Sequence, residues 1–186
     1  MSSMTETAAT LDDLLKVKEK AELIGGRIVH LMPTGRRPSR IAFRIARSLD
    51  DHAEATGTGE AYTDNTGFAV PVLTSGRQSF SPDASYFAGP LVGDPMRFVV
   101  GPPTLAVEVR SRDDYGDAAE AQMAAKREDY FEAGTLVVWD VDPVARVVRK
   151  YLANQPDPPS VFSSGDVADA EPAVPGWSMA VDDLFR

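Results

Sequence analysis

The stretch PTLAVEVRS, Pro103 to Ser111, decides the reading of this chain. Side chains alternate across a strand, so Leu105, Val107 and Val109 point to one face and Ala106, Glu108 and Arg110 to the other. A carboxylate in the middle of such an apolar strand is costly unless a cation pairs with it or binds it. Twenty-five residues upstream stands SPDASYF, Ser81 to Phe87, in which Pro82 suits the start of a strand and Asp83 follows it. If the two strands are neighbours, Asp83 and Glu108 meet at one point. With the backbone carbonyl of Val109 they make an all-oxygen donor set suited to Mg²⁺ or Mn²⁺.

The rest of the chain frames these strands. Thr10 to Lys20 reads as a short helix with Thr10 as its cap. AELIGGRIVHLMP reads as a hairpin around Gly25-Gly26, ended by Pro33. Pro38-Ser39 opens a helix running to about Ala55, with Ile41, Ile45 and Leu49 as its buried stripe and Gly57 and Gly59 closing it. GFAVPVL, SPDASYF and PTLAVEVRS follow as three strands. Asp117 to Ala133 is a second long helix, closed by Gly134. LVVWDVD reads as a buried strand, RVVRKYL as its hairpin partner and NQPDPPS as a loop. VPGWSMAVDDLF brings a Trp and a Phe that dock the C-terminal end on the core. The order helix, three strands, helix, strand gives an α/β fold with a mixed central sheet flanked by helices, in one domain from 10 to 186 after a tail at 1–9.

On the second long helix Gln122, Lys126 and Tyr130 recur every four residues and form one stripe. If that face crosses the carboxylates, Lys126 reaches the reacting phosphate or its attacking water. Asp140 and Asp142 in WDVDP are accounted for by a strand-end turn with Pro143.

The chain has 186 residues, 43% hydrophobic and 25% charged, as expected of an ordinary soluble globular protein. It has no cysteine, which excludes disulfides, thiolate metal sites and cysteine nucleophiles. No apolar run is long enough to span a bilayer and no signal peptide is visible, so a cytoplasmic protein is expected. The net charge of −9 runs against nucleic-acid binding, yet from Leu23 to Leu49 there is no acid and there are six arginines. Arg37, Arg40, Arg44 and Arg47 share a helix face and are the candidates for gripping nucleic-acid phosphates. No Gly-X-Ser-X-Gly is present, and only His30 and His52 could serve a serine hydrolase as base. No glycine-rich phosphate loop follows a strand.

ELIGGRIV, SPDASYF, PTLAVEVRS, KREDYFEAGTLVVWDVDP and VPGWSMAVDDLF, in this order, resemble the Uma-type bacterial family within the PD-(D/E)XK nuclease superfamily. The resemblance covers Thr10 to Phe185. It implies a restriction-endonuclease-like core, Asp83 and Glu108 as the metal carboxylates, and a catalytic lysine moved from the strand to the following helix, here Lys126. The Gln122/Lys126/Tyr130 stripe is similar in spacing to the Gln-X-X-X-Tyr helix of RecB-type nucleases. Glu22 matches an acidic residue of the family's early strand, and Glu22 and Tyr130 join the site candidates. Two residues depart from the pattern. Ser39 stands where many relatives have histidine. Arg110 holds the place of the superfamily's standard lysine, either as a phosphate clamp or as a salt-bridge partner that fills the site. The implied activity is metal-dependent hydrolysis of DNA by a restriction-type endonuclease, with a homodimer expected for cutting two strands. The alternative is a nuclease fold that has lost catalysis and serves as a nucleic-acid-binding or structural module.

Overall fold

The computed structural model describes residues 8–186. In chain order its elements are α1 (Leu11–Leu14), β1 (Ala21–Ile24), β2 (Arg27–His30), α2 (Arg36–Thr56), β3 (Glu60–Thr63), β4 (Phe68–Ala69), β5 (Ser79–Phe80), β6 (Ala84–Phe87), β7 (Val99–Val100), β8 (Leu105–Val109), α3 (Asp117–Ala133), β9 (Val137–Asp142), β10 (Val147–Leu152), β11 (Gln155–Phe162), β12 (Val167–Asp169), β13 (Ser178–Ala180) and α4 (Val181–Phe185). Six strands form the central sheet in the order β11-β10-β9-β8-β6-β3. The neighbours β8 and β9 run parallel, joined through α3, and every other pair in this sheet is antiparallel. The sheet is therefore mixed, and the α2–β3–β6–β8–α3–β9 series has the expected order.

The alternation in β8 partitions the core as its sequence requires. Leu105, Val107 and Val109 join the apolar cluster under α2, which contributes Ile41, Ile45 and Leu49 from its buried stripe. Each such fully buried Val, Leu or Ile side chain contributes roughly 1.5–3 kcal/mol. Trp139 and Trp177 pack with ring centroids 5.0 Å apart, which docks the C-terminal segment on this side. Ala106 faces the other way, into a second cluster with Phe68, Phe80, Val138 and Tyr130 of α3. The helices thus cover opposite faces, and the even-numbered positions of β8 lie beneath α3.

Four expectations shift. The first helix is one turn, Leu11–Leu14, held by a capping box between Thr10 and Asp13. Beyond Val17 no apolar spacing continues it. GFAVPVL contributes only Phe68–Ala69, in a separate three-stranded sheet with β5 and β7. Pro71 has no amide to extend the pairing, and the outer strand of the central sheet is Glu60–Thr63 instead. NQPDPPS is no loop beyond its first residue: Gln155 to Ser160 lie within β11, paired to β10 on one side only. A sheet edge tolerates prolines because it needs no second row of donors. Of the tail expected at 1–9, residues 1–7 lie outside the described residues, and the Ala9 amide donates to the Gly26 carbonyl at 2.8 Å. Among the described residues no helix is long and apolar enough to cross a membrane.

Candidate metal centre

Asp83 stands one residue before β6, and the register Ala84↔Val107 carries it opposite Glu108. The Asp83 amide donates to the Val107 carbonyl at 3.0 Å. Its side chain then reaches back, and Oδ2 accepts the Val109 amide at 2.8 Å. The carbonyl of a strand residue leaves on the same edge as its amide, so the Val109 oxygen also faces the Asp83 side.

From above, α3 delivers two of its three predicted side chains. Tyr130 donates its hydroxyl to Glu108 Oε1 at 2.6 Å, and Lys126 Nζ lies 2.9 Å from the same oxygen. Glu108 Oε2 has no protein partner among the described residues, and the side chain remains 27% exposed. Gln122, one turn earlier, is exposed and outside this contact.

The hairpin β1–β2 supplies a further side of the site. Glu22 is buried; it accepts the Ser81 amide at 2.9 Å and lies 3.2 Å from Lys126 Nζ. Arg77 pairs with Glu22 and, at 2.8 Å, with Asp129 of α3. Lys20, two residues before Glu22 and on the same strand face, lies 3.2 Å from Asp83 Oδ1 and also pairs with Asp64. Lys20, Asp64, Arg77 and Asp129 were not among the sequence candidates. For Lys20 the signal was available in its two-residue spacing from Glu22. Arg77 sits in a polar turn, TSGRQ, that gives no local sign of burial.

The charges form a row: Asp64, Lys20, Asp83, Glu108, Lys126, Glu22, Arg77, Asp129. Its sign alternates at every step except one, between Asp83 and Glu108. Five carboxylates against three bases leave two negative charges in excess. Burial pushes the Glu108 carboxyl above the ordinary carboxylate range; Lys126 opposes this, and Asp83 and Glu22 add to it. Burial works against the Lys126 ammonium, but Glu108 and Glu22 more than offset it and keep the group protonated. Burial and the nearby Glu108 raise the Tyr130 phenol well above its normal value, so it too keeps its proton.

A divalent cation fits this arrangement. Two carboxylates adjoin where the row lacks a base, one carboxylate oxygen is free, and a carbonyl lies on the same edge. The protein side offers two carboxylates rather than more: among the described residues no three His, Cys, Asp or Glu side chains form a metal-holding group.

Arg110 does not take part. It lies on the Glu108 face, as expected, but it grips Asp140 at 2.7 and 2.6 Å and pairs with Glu120. It is therefore neither a clamp at the carboxylates nor a cation that fills their site. Asp140 is a buried partner of Arg110, not a turn residue; only Asp142 caps the turn, accepting the Val144 and Ala145 amides at 2.9 Å each.

Beside Asp83 opens a cleft of about 290 Å³, lined by Thr34, Pro38, Ser39 and Phe43 of the α2 side and by Thr63 and Asp64 opposite. The arginine face of α2 divides in two. Arg37 and Arg40 are exposed, whereas Arg44 donates to the Leu184 carbonyl at 2.9 Å and Arg47 lies 4.0 Å from Asp51.

Compared with solved structures, the chain is similar to a protein from Anabaena variabilis described as "a putative nuclease belonging to DUF820". The TM-score is 0.73 over 95% of this chain and 97% of that one, at 21% identity. At that identity the likeness is one of fold, and the fold is restriction-endonuclease-like. No curated protein matches. The sequence profile of the Uma2 family, described as "Putative restriction endonuclease", matches residues 8–182. Family and fold together are those of restriction-type nucleases, and the chain belongs to the Uma2 family.

Proposed function

We propose that the chain is a metal-dependent endonuclease that hydrolyses phosphodiester bonds of DNA, with Asp83 and Glu108 as its metal carboxylates. The observation that carries this reading is the meeting of these two side chains beneath Lys126. Mg²⁺ or Mn²⁺ bound by Asp83, Glu108 and the Val109 carbonyl would supply the charge that polarises a phosphate and lowers the pKa of a bound water.

The protein's own groups divide the remaining work. Lys126 is held as an ammonium, so it is no general base; it donates to the phosphate oxygens and offsets charge growing there. Tyr130 keeps its proton and fixes the orientation of Glu108. Glu22, itself held by Arg77 and the Ser81 amide, keeps Lys126 in reach of Glu108 and acts as a positioning residue. Gln122 stands at the outer end of the stripe, where substrate would pass. A two-fold pair of such sites would cut both strands of a duplex. The reading in which catalysis is lost predicts Arg110 paired to Glu108, and Arg110 pairs with Asp140 and Glu120 instead.

Glu108→Gln tests the assignment. The substitution keeps the shape and removes a charge that its surroundings disfavour, so the melting temperature should not fall. Metal-dependent cleavage of plasmid DNA should drop by about 10²–10³-fold or more, and the Mn²⁺ binding heat of the parent should disappear in calorimetry. Cleavage at the parent rate, or undiminished Mn²⁺ binding, would refute the assignment.

A further inference from the structure

A second concavity, of about 240 Å³, lies on the other flank of the first turns of α2, lined by Arg36, Arg37, Arg40, Arg44 and Arg186 over a floor of Ile41, Leu184 and Phe185. We propose that this pocket is a phosphate-binding subsite, holding a backbone phosphate of the nucleic acid whose neighbouring segment lies in the Asp83 cleft.

The charge balance carries the argument. The chain is acidic overall, at −9, with carboxylates to spare. Yet among the described residues Arg36, Arg37, Arg40 and Arg44 have no carboxylate partner, and of the lining bases only Arg186 is paired, with Asp183 at 3.3 Å. Several guanidiniums crowded at one end of one helix repel each other, which is tolerated where an anion completes the site. Planar guanidiniums with several N–H donors match phosphate oxygens.

The pocket is also set for recognition. Arg44 is tied by one N–H to the Leu184 carbonyl at 2.9 Å, which fixes its plane and leaves its other donors for a ligand. Successive helix positions turn by 100°, so Ser39 and Phe43 face the cleft while Arg40 and Arg44 face the pocket. A helix with its side chains is roughly 10 Å across. A strand crossing the first turns of α2 can therefore place one phosphate near Asp83 and another among the arginines. Arg40 sits over the exposed Phe43 ring at 5.7 Å, on the ridge between the two hollows. Arg47, although on the arginine stripe, is outside the pocket. The polymer's identity rests on the nuclease reading; the pocket's preference for phosphate does not.

The test is metal-free binding of a fluorescein-labelled 20-nucleotide DNA by anisotropy, across a salt series. The parent is compared with the double variant Arg36→Gln/Arg40→Gln and with Arg27→Gln, an exposed charge outside the pocket. Arg36 and Arg40 are exposed, so the double variant should fold; an unchanged melting temperature verifies it, and Arg37→Gln serves if it does not. Loss of about tenfold or more in affinity, with a salt slope shallower by about one per phosphate contact, is expected for the double variant alone. Equal loss in Arg27→Gln would mean a diffuse field and overturns the proposal. So does unchanged oligonucleotide binding, including the case where the double variant loses only the heat of titration with inorganic phosphate. Cleavage by the parent with binding unaltered in the double variant sinks this pocket and spares the nuclease. Weakened binding in the double variant of a parent that never cleaves does the reverse.

Discussion

Glu108 and Arg110 stand two residues apart on one face of one strand, and their surroundings differ in kind. Arg110 is closed off: Asp140 takes it by two hydrogen bonds, Glu120 takes the opposite side, and Arg149 lies 3.9 Å from Asp140 and 3.4 Å from Asp142. The side-chain hydroxyl of Tyr115 donates to Asp142 at 3.1 Å. Every charge there has an opposite neighbour in good geometry, which is what a buried ionic group needs in order to be tolerated. Glu108 has Lys126 and Tyr130 on one oxygen only and another carboxylate beside it. One end of the strand is tied shut by ions, and the adjacent end is left short of positive charge. That difference separates a structural ion cluster from a site with room for a ligand.

Breaking the closed cluster should have the largest effect on stability. Asp140→Ala leaves Arg110 buried with only the half-exposed Glu120 as partner. Removing one member of a buried pair costs about 3–5 kcal/mol, measurable as a lower denaturation midpoint in urea. Cleavage per folded molecule should persist: Asp140 is the strand neighbour of Glu108, but among the described residues its carboxylate bonds only to Arg110 and Arg149 and to no member of the Asp83–Glu108 row. Loss of cleavage in fully folded Asp140→Ala would erase the distinction between the two regions.

Lys126→Met applies the opposite test to the open end. Methionine keeps much of the apolar stem and deletes the one ammonium that, among the described residues, contacts both Glu108 and Glu22. The expected result is a fall in cleavage rate of about 10²–10³-fold, or about 2.7–4 kcal/mol. Lys126→Arg should rescue only part of it, since a planar guanidinium does not reproduce a compact ammonium. A variant that cuts at the parent rate would make Lys126 a structural counter-ion of the Arg110 kind.

How much of this was legible before the fold is clear from particular residues. The alternation in PTLAVEVRS and the four-residue step from Lys126 to Tyr130 are local periodicities, and the fold keeps both; the approach of Asp83 to Glu108, 25 residues apart, hung instead on the two strands being neighbours, and β6 and β8 do pair. Gln122 shows the limit of the same rule: the stripe continues, but the strand end beneath it does not. Lys20 was readable from its alternation with Glu22 yet stood in what looked like a helix. Arg77 was not readable, because its partners Glu22 and Asp129 are 55 and 52 residues away. No short-range pattern encodes a contact of that span. Arg110 was placed on the correct face, but neither of its two expected roles, phosphate clamp or salt bridge in the metal site, named Asp140 as partner, since the parallel register that sets Asp140 beside Glu108 is a property of the sheet. β11 was hidden by its prolines, whose meaning reverses at a sheet edge.

Acid should loosen the closed end through Asp142, and this is the smallest effect expected. Burial opposes the Asp142 charge, but the Ala145 and Val144 amides, Tyr115 and Arg149 more than offset it and hold its carboxyl below the ordinary value of 3.8. A carboxyl with a lowered pKa in the folded state contributes stability that is present above the unfolded value and is lost as pH falls through the folded one. Asp142→Asn should therefore cost about 1.5–3 kcal/mol near neutral pH, the range for hydrogen bonds to a charged group. The parent and the variant should converge below the lowered pKa, as parallel urea titrations from pH 7 down to acid would show. A difference that stays constant with pH would mean that Asp142 acts through shape alone, as the cap of its turn, and that its charge is no part of the closed cluster.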